Sequence, residues 1–148
     1  MNKLSGNFKL PNNGVPVDST VVFLHGLGAD GNDLISLADF LMGQFPNTAF
    51  YSPDAPTPYT LGGLGFQWFD INDLNSGEIT EIKEAENLIN QYIDQLLLFH
   101  GLRSDRCVVI GFSQGSMMAM HLGPRRKEQL GGIVCISGAL ITGDTLAT

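Results

Sequence analysis

The stretch Cys107-Val108-Val109-Ile110-Gly111-Phe112-Ser113-Gln114-Gly115 decides the fold of this 148-residue chain. Its uncharged Val-Val-Ile run has the composition of a strand buried on both faces. It leads directly into G-x-S-x-G, and Met117, Met118, Ala119 and Met120 continue as a good helix. A strand that folds back into a helix within a residue or two needs a small residue on each side of the turn, and Gly111 and Gly115 supply them. The pattern predicts a nucleophile elbow with Ser113 at its tip. A plain strand-to-helix turn with a capping serine is the structural alternative. In folds built on this elbow the order is Ser, then an acid, then His. After Ser113 the chain offers only His121, eight residues further along the same expected helix and so about 12 Å away along its axis. The nucleophile is therefore expected without its base.

Outward from the elbow, apolar runs alternate with helical spacing. Leu4, Phe8 and Leu10 suggest a short first strand, followed by a turn at Asn12-Asn13-Gly14. Residues 20–24 and 48–52 read as buried strands. Leu34, Leu37, Ala38 and Leu41 predict one helix over 32–42, ended by Gly43 and Pro46. Residues 53–77 read as a long loop rich in Pro and Gly that carries Tyr59, Phe66, Trp68 and Phe69. Thr80 is expected to cap a long helix, with Glu81 and Glu84 near its positive end. Ile82, Ala85, Ile89, Tyr92, Ile93, Leu96 and Leu97 line one face of it, and Gly101 follows its last turn. Residues 132–137 form the last expected strand. Strands apolar on both faces, alternating with helices, predict an α/β fold: a mostly parallel sheet with helices on both faces, in a single domain over residues 1–148.

Apolar residues make up 43% of the chain and charged residues only 16%, which predicts a packed core rather than disorder. The net charge of −7, with a lone basic cluster at Arg125-Arg126-Lys127, argues against nucleic acid as a partner. Cys107 and Cys135 lie in apolar runs and are expected to be buried free thiols, which suits a reducing, cytoplasmic location. The N-terminal residues lack the apolar region of a signal peptide, and no run approaches the ~20 apolar residues of a membrane span.

A second motif, His25-Gly26-Leu27-Gly28, follows the expected strand at 20–24. Acyl transfer needs backbone N–H groups aimed at a developing oxyanion. On an elbow one donor is the residue after the nucleophile, here Gln114, and the other lies in a glycine-rich loop after an earlier strand, here Leu27. The same residues also spell G-x-G-x-x-G from Gly26 to Gly31, with Asp54 placed 23 residues beyond as a ribose-binding acid would be. A dinucleotide site is thus a rival reading. His25, before the first glycine, and the loop that follows Asp54 count against it. His25 is expected to be structural, and His100 to end the long helix and favour its dipole.

Taken together, residues 24–33, Pro53-Asp54-Ala55-Pro56, Trp68-Phe69-Asp70-Ile71, residues 111–115 and Ser137-Gly138-Ala139-Leu140 resemble the phospholipase/carboxylesterase family of α/β-hydrolases, to which acyl-protein thioesterases belong. The resemblance runs from about Val21 to Leu140, with the motifs in family order. It implies that Ser113 is the nucleophile, that Leu27 and Gln114 give the oxyanion-hole amides, and that Leu61, Leu64 and Trp68 border an acyl pocket. It implies a small-molecule acyl ester or thioester as substrate, hydrolysed without a cofactor or metal. Members of the family continue past the Ser137–Leu140 segment through two more strands that bring the catalytic Asp and His. The chain is accordingly expected to be the N-terminal part of such a fold, truncated before both residues and weak or inactive by itself. A catalytically silent acyl-binding or scaffold protein is the alternative of a different class. The strand at 132–137 would have a bare edge, and Ile133, Val134, Cys135 and Ile136 carry no charge or proline to protect it, so self-association there is expected.

Overall fold

The computed structural model describes residues 3–12, 14–77 and 79–146. Of the expected turn at Asn12-Asn13-Gly14, Asn13 lies outside the described residues. The sheet has five strands in the order β1-β3-β2-β6-β7, where β1 is Gly6–Lys9, β2 Ser19–Leu24, β3 Thr48–Pro53, β6 Cys107–Phe112 and β7 Gly132–Ile136. All neighbours are parallel except β1, which runs antiparallel to β3. The α/β architecture, a mostly parallel sheet flanked by helices, is thus the one the apolar runs imply.

Side chains alternate across the sheet and so build two cores. Val22, Leu24, Ala49, Tyr51 and Val109 pack with Ile82, Ala85, Ile89, Ile93 and Leu97 of helix α4 (Thr80–His100) and Met118, Ala119 and Leu122 of helix α5 (Gln114–Leu122). Phe23 and Phe50 face the other way, onto Ile35 of α1 (Gly31–Ile35) and Ala38 of α2 (Ala38–Leu41). The long helix ends as expected, at Gly101 with φ 67°, where the left-handed conformation favours glycine.

Several elements differ from the expectation. The helix over 32–42 is two short helices. The Ser36 hydroxyl donates to the Asp33 carbonyl, and three-residue turns (Leu37 N–H to Leu34 O, Phe40 N–H to Leu37 O) interrupt the helical ladder between them. The segment 53–77 is not all loop. It contains a small antiparallel hairpin, β4 (Thr57–Pro58) with β5 (Phe66–Gln67), and a helix, α3 (Asp73–Ser76). Thr80 is the first residue of α4 and not its cap, and Glu81 accepts a hydrogen bond from the Asp70 N–H at 2.6 Å.

The last strand keeps the bare edge that the sequence implies and differs from expectation in one of its thiols. Cys107 is buried as expected, but Cys135 is exposed, against the expectation of a buried thiol. Among the described residues β7 pairs only with β6, so its far edge is open. Val134 is 45% and Ile136 44% exposed, whereas Val109 on the neighbouring strand is fully buried.

Candidate active site

The parallel register sets Leu24 beside Gly111 and Phe112 beside Ile136, so three strands end side by side. Between β6 and α5 stands Ser113, with φ 53° and ψ −116°. A non-glycine residue at positive φ is uncommon and costs of order 1–3 kcal/mol, so its surroundings must hold it there. The Ser113 N–H donates to the Ile136 carbonyl at 2.9 Å, and the Ser113 carbonyl accepts from Met117 N–H at 3.1 Å. The turn closes only because its flanks lack side chains. A Cβ at Gly111 would strike the Gly115 carbonyl, and one at Gly115 would strike the carbonyl oxygen of Leu24.

On the β2 side, the loop after Leu24 lies against the serine. A Cβ built on Gly26 would sit 3.3 Å from the Cβ of Ser113. In this loop Gly28 N–H is bound to Phe66 O at 2.9 Å and Ala29 N–H to Gly26 O at 3.2 Å, which brackets Leu27 between two engaged stretches of backbone. Gln114, at the first position of α5, has an amide with no carbonyl to bind inside its helix. The Ser113 amide is already committed to β7. Ser113, Leu27 and Gln114 are thus gathered at one end of the sheet.

The side chain of Gln114 points the other way, into the protein, where it is buried. Its Oε1 accepts from Trp68 N–H at 2.7 Å and its Nε2 donates to Phe69 O at 2.8 Å. Trp68 is only 1% exposed, and its indole N–H donates to the His25 carbonyl at 2.9 Å. The structure therefore places Trp68 beneath the loop as a core anchor, not on the surface with Leu61 and Leu64, which are 85% and 89% exposed on the tip of the β4–β5 hairpin. That hairpin is tied to the glycine loop by Phe66 N–H to Ala29 O at 2.9 Å. No spacing in the sequence signals the Gln114–Trp68 clamp, because its halves lie 46 residues apart.

His25 is fully buried, and both ring nitrogens are engaged. Nε2 accepts from Ala55 N–H at 3.0 Å, so Nδ1 carries the proton and donates to Gly26 O at 2.7 Å. His121 is 2% exposed and bound at 2.9 Å to Glu86 and at 2.6 Å to Thr142. His100 meets the Tyr51 hydroxyl at 2.6 Å. Each of the chain's three histidines is thus used elsewhere, and none is hydrogen-bonded to Ser113.

A strand-turn-helix serine beside a glycine loop is common to several hydrolase lineages; the whole-chain comparison separates them. A family model described as Phospholipase/Carboxylesterase matches residues 6–148. The chain belongs to that family. It is 34% identical over 132 residues to acyl-protein thioesterase 1 of Cryptococcus neoformans, covering 80% of this chain and 53% of that protein. It is 30% identical over 138 residues to acyl-protein thioesterase 1 of Saccharomyces cerevisiae, covering 83% and 59%. Among solved structures, esterase PE8 superposes with a TM-score of 0.88 at 34% identity, covering 98% of this chain and 68% of that one. The chain thus spans little more than half the length of these curated relatives.

Family membership accounts for the glycine loop without a nucleotide, and the geometry agrees. The α1 N-terminus that would receive a pyrophosphate already holds two carboxylates of the chain: Gly31 N–H donates to Asp54 at 2.8 Å and Asn32 N–H to Asp30 at 2.7 Å. Asp54 is thereby used to hold the family's loop in place.

Two predictions follow from the polar groups beneath this site. Gln114→Ala would leave the buried Trp68 N–H and Phe69 carbonyl unpaired. It should destabilise the fold by about 2 kcal/mol or more in urea unfolding, with a red shift of the single tryptophan's emission. Burial is the largest influence on both His25 and His121 and lowers their pKa values, against the opposing pull of the Gly26 carbonyl on the first and of Glu86 on the second. Each favours the neutral ring in the folded state. Each therefore adds stability that is fully present above the ordinary value of 6.5 and is lost as pH falls through the lower folded-state values. The urea midpoint should be level between about pH 7 and 8 and decline on acidification below about 6.5; a constant midpoint down to about pH 5 would contradict this.

Proposed function

We propose that this chain carries the nucleophile half of a hydrolase acting on carboxylic esters or thioesters through an acyl-enzyme on Ser113. The observation that carries this reading is the left-handed Ser113 at the tip of a single turn flanked by Gly111 and Gly115, with Gly26 packed beside it. In this reading the Ser113 hydroxyl attacks the acyl carbonyl, and the amides of Leu27 and Gln114 hold the oxyanion that develops. Leu61 and Leu64 border the acyl chain from the hairpin tip, and Trp68 supports the site from below. The family match and the likeness to an esterase and to thioesterases support the substrate class.

Hydrolysis also needs a base to take the serine proton. Since His25, His100 and His121 are bound elsewhere, the chain by itself is assigned weak chemistry, of the order of the 10³–10⁴-fold over water that an oxyanion hole and binding supply without a working triad. A fluorophosphonate probe should label it very slowly, and Ser113→Ala should abolish what labelling there is. Rapid labelling would identify a base among these residues and overturn this part of the reading. A silent acyl-binding role is the second reading, favoured by the same three engaged histidines. It predicts fatty-acyl binding in full with no covalent adduct at any probe concentration.

No helix among the described residues is long and apolar enough to cross a membrane. The two free cysteines support a cytoplasmic location, and the net charge of −7 supports partners other than nucleic acid. The uncharged outer edge of β7 supports self-association, with a second copy pairing along Gly132–Ile136. Ile136→Lys should then shift the chain toward monomer in light scattering at high micromolar concentration; a wild-type chain already monomeric under those conditions would refute the edge contact.

A further inference from the structure

We propose that Ser137 is a positioning residue for the nucleophile, its left-handed turn holding the Ile136 carbonyl where it captures the Ser113 amide. The proposal rests on the reading of Ser113 as the reacting serine. Among the described residues only two that are not glycine have positive φ: Ser113 at 53° and Ser137 at 56°. They are neighbours in space. Phe112 and Ile136 are register partners on parallel strands, so Ser113 and Ser137 are the next residue out on each. Both strands leave the sheet there through a residue of positive φ, joined by the 2.9 Å bond from Ser113 N–H to Ile136 O.

Strain of this kind persists only where packing over-determines it. For Ser113 the glycines of the elbow do so. For Ser137 the constraint is the next residue: Gly138 lies so close to α5 that an added Cβ would collide with the side chain of Ser116, one turn after the nucleophile. The 137–138 turn therefore presses on the first turn of α5 from the β7 side, as Gly26 presses on Ser113 from the β2 side. The bond it sustains has two consequences. It fixes the Ser113 backbone, and it removes the Ser113 amide from competition with Leu27 and Gln114 for an oxyanion.

A side chain's tolerance of positive φ supplies the test. Glycine and asparagine accept that region and a β-branched residue does not. Amide hydrogen exchange of the full chain, read residue by residue by NMR, should show Ser113 N–H as protected in Ser137→Gly and Ser137→Asn as in the wild type, within a few-fold. In Ser137→Val it should exchange at least about tenfold faster, while Val109 and Ile110 in the middle of β6 keep their protection. Gly138→Ala, which disturbs the turn from its other residue, should reproduce the same local loss and serves if the valine variant does not fold. A merely structural role would instead lower protection along the whole β6–β7 pair in proportion to the fall in melting temperature. That result, or unchanged Ser113 protection in both Ser137→Val and Gly138→Ala, would overturn the proposal. Fluorophosphonate labelling of the same variants with added free imidazole separates the two readings. Exchange that follows the predicted order while no variant labels would sink the assignment of Ser113 as nucleophile and leave the backbone role of Ser137 standing.

Discussion

The first turn of α5 crosses the end of β2 with no side chain between them, and the rest of the site depends on that contact. Gly115 rests on the carbonyl oxygens of Leu24 and His25, and Gly111 rests on Gly115. Any side chain at either position would lift the helix from the sheet. With the helix seated, Ser113 has nowhere to go but outward, at the tip of the turn and in a conformation that an unconstrained serine avoids. The glycine loop after β2 is brought beside it by the same contact. The position of Ser113 and that of the amides beside it are therefore outcomes of one close approach of backbone to backbone.

Beneath that surface lies a set of polar groups that seldom survive burial without partners. Here they find one another. Gln114 joins α5 to the segment at Trp68 and Phe69, Trp68 joins that segment to the loop at His25, and His25 joins the loop to Ala55 after β3. Four stretches far apart in the chain are locked to a common frame. Amides held this way do not reorganise when charge develops in front of them, which is the property an oxyanion site requires. The same economy explains the silence of the histidines: each ring is part of the scaffold, and burial keeps His25 and His121 neutral there.

The open flank of β7 sets the opposite condition. Among the described residues β7 is paired on one side only, so a run of Ile, Val and Ile that suits an interior strand stands partly in water. The elbow is nevertheless anchored to this strand, through the Ile136 carbonyl. The geometry of Ser113 and the state of that edge are for this reason coupled.

The α/β class, the positions of the main strands along the chain, the elbow and its serine were all legible in the amino-acid sequence, because each is written in local signals: apolar runs, helical spacing and glycines at fixed distances. Local signals also marked Gly101 as a helix stop and the loop at Gly26 as the partner of the elbow. They misjudged the segment 32–42, where hydrophobic spacing continues through a break made by the Ser36 hydroxyl, and they left Trp68 on the pocket side. Nothing in the spacing of Gln114, Trp68 and His25 reveals that they bind one another, since hydrogen bonds between segments 43 and 46 residues apart have no periodicity to read. Exposure of Cys135 and the left-handed turn at Ser137 were hidden for the same reason. Sequence determines which residues prefer to be strand, helix or turn; which face of a strand is covered, and which backbone groups meet at the end of the sheet, are decided only when the chain has closed on itself.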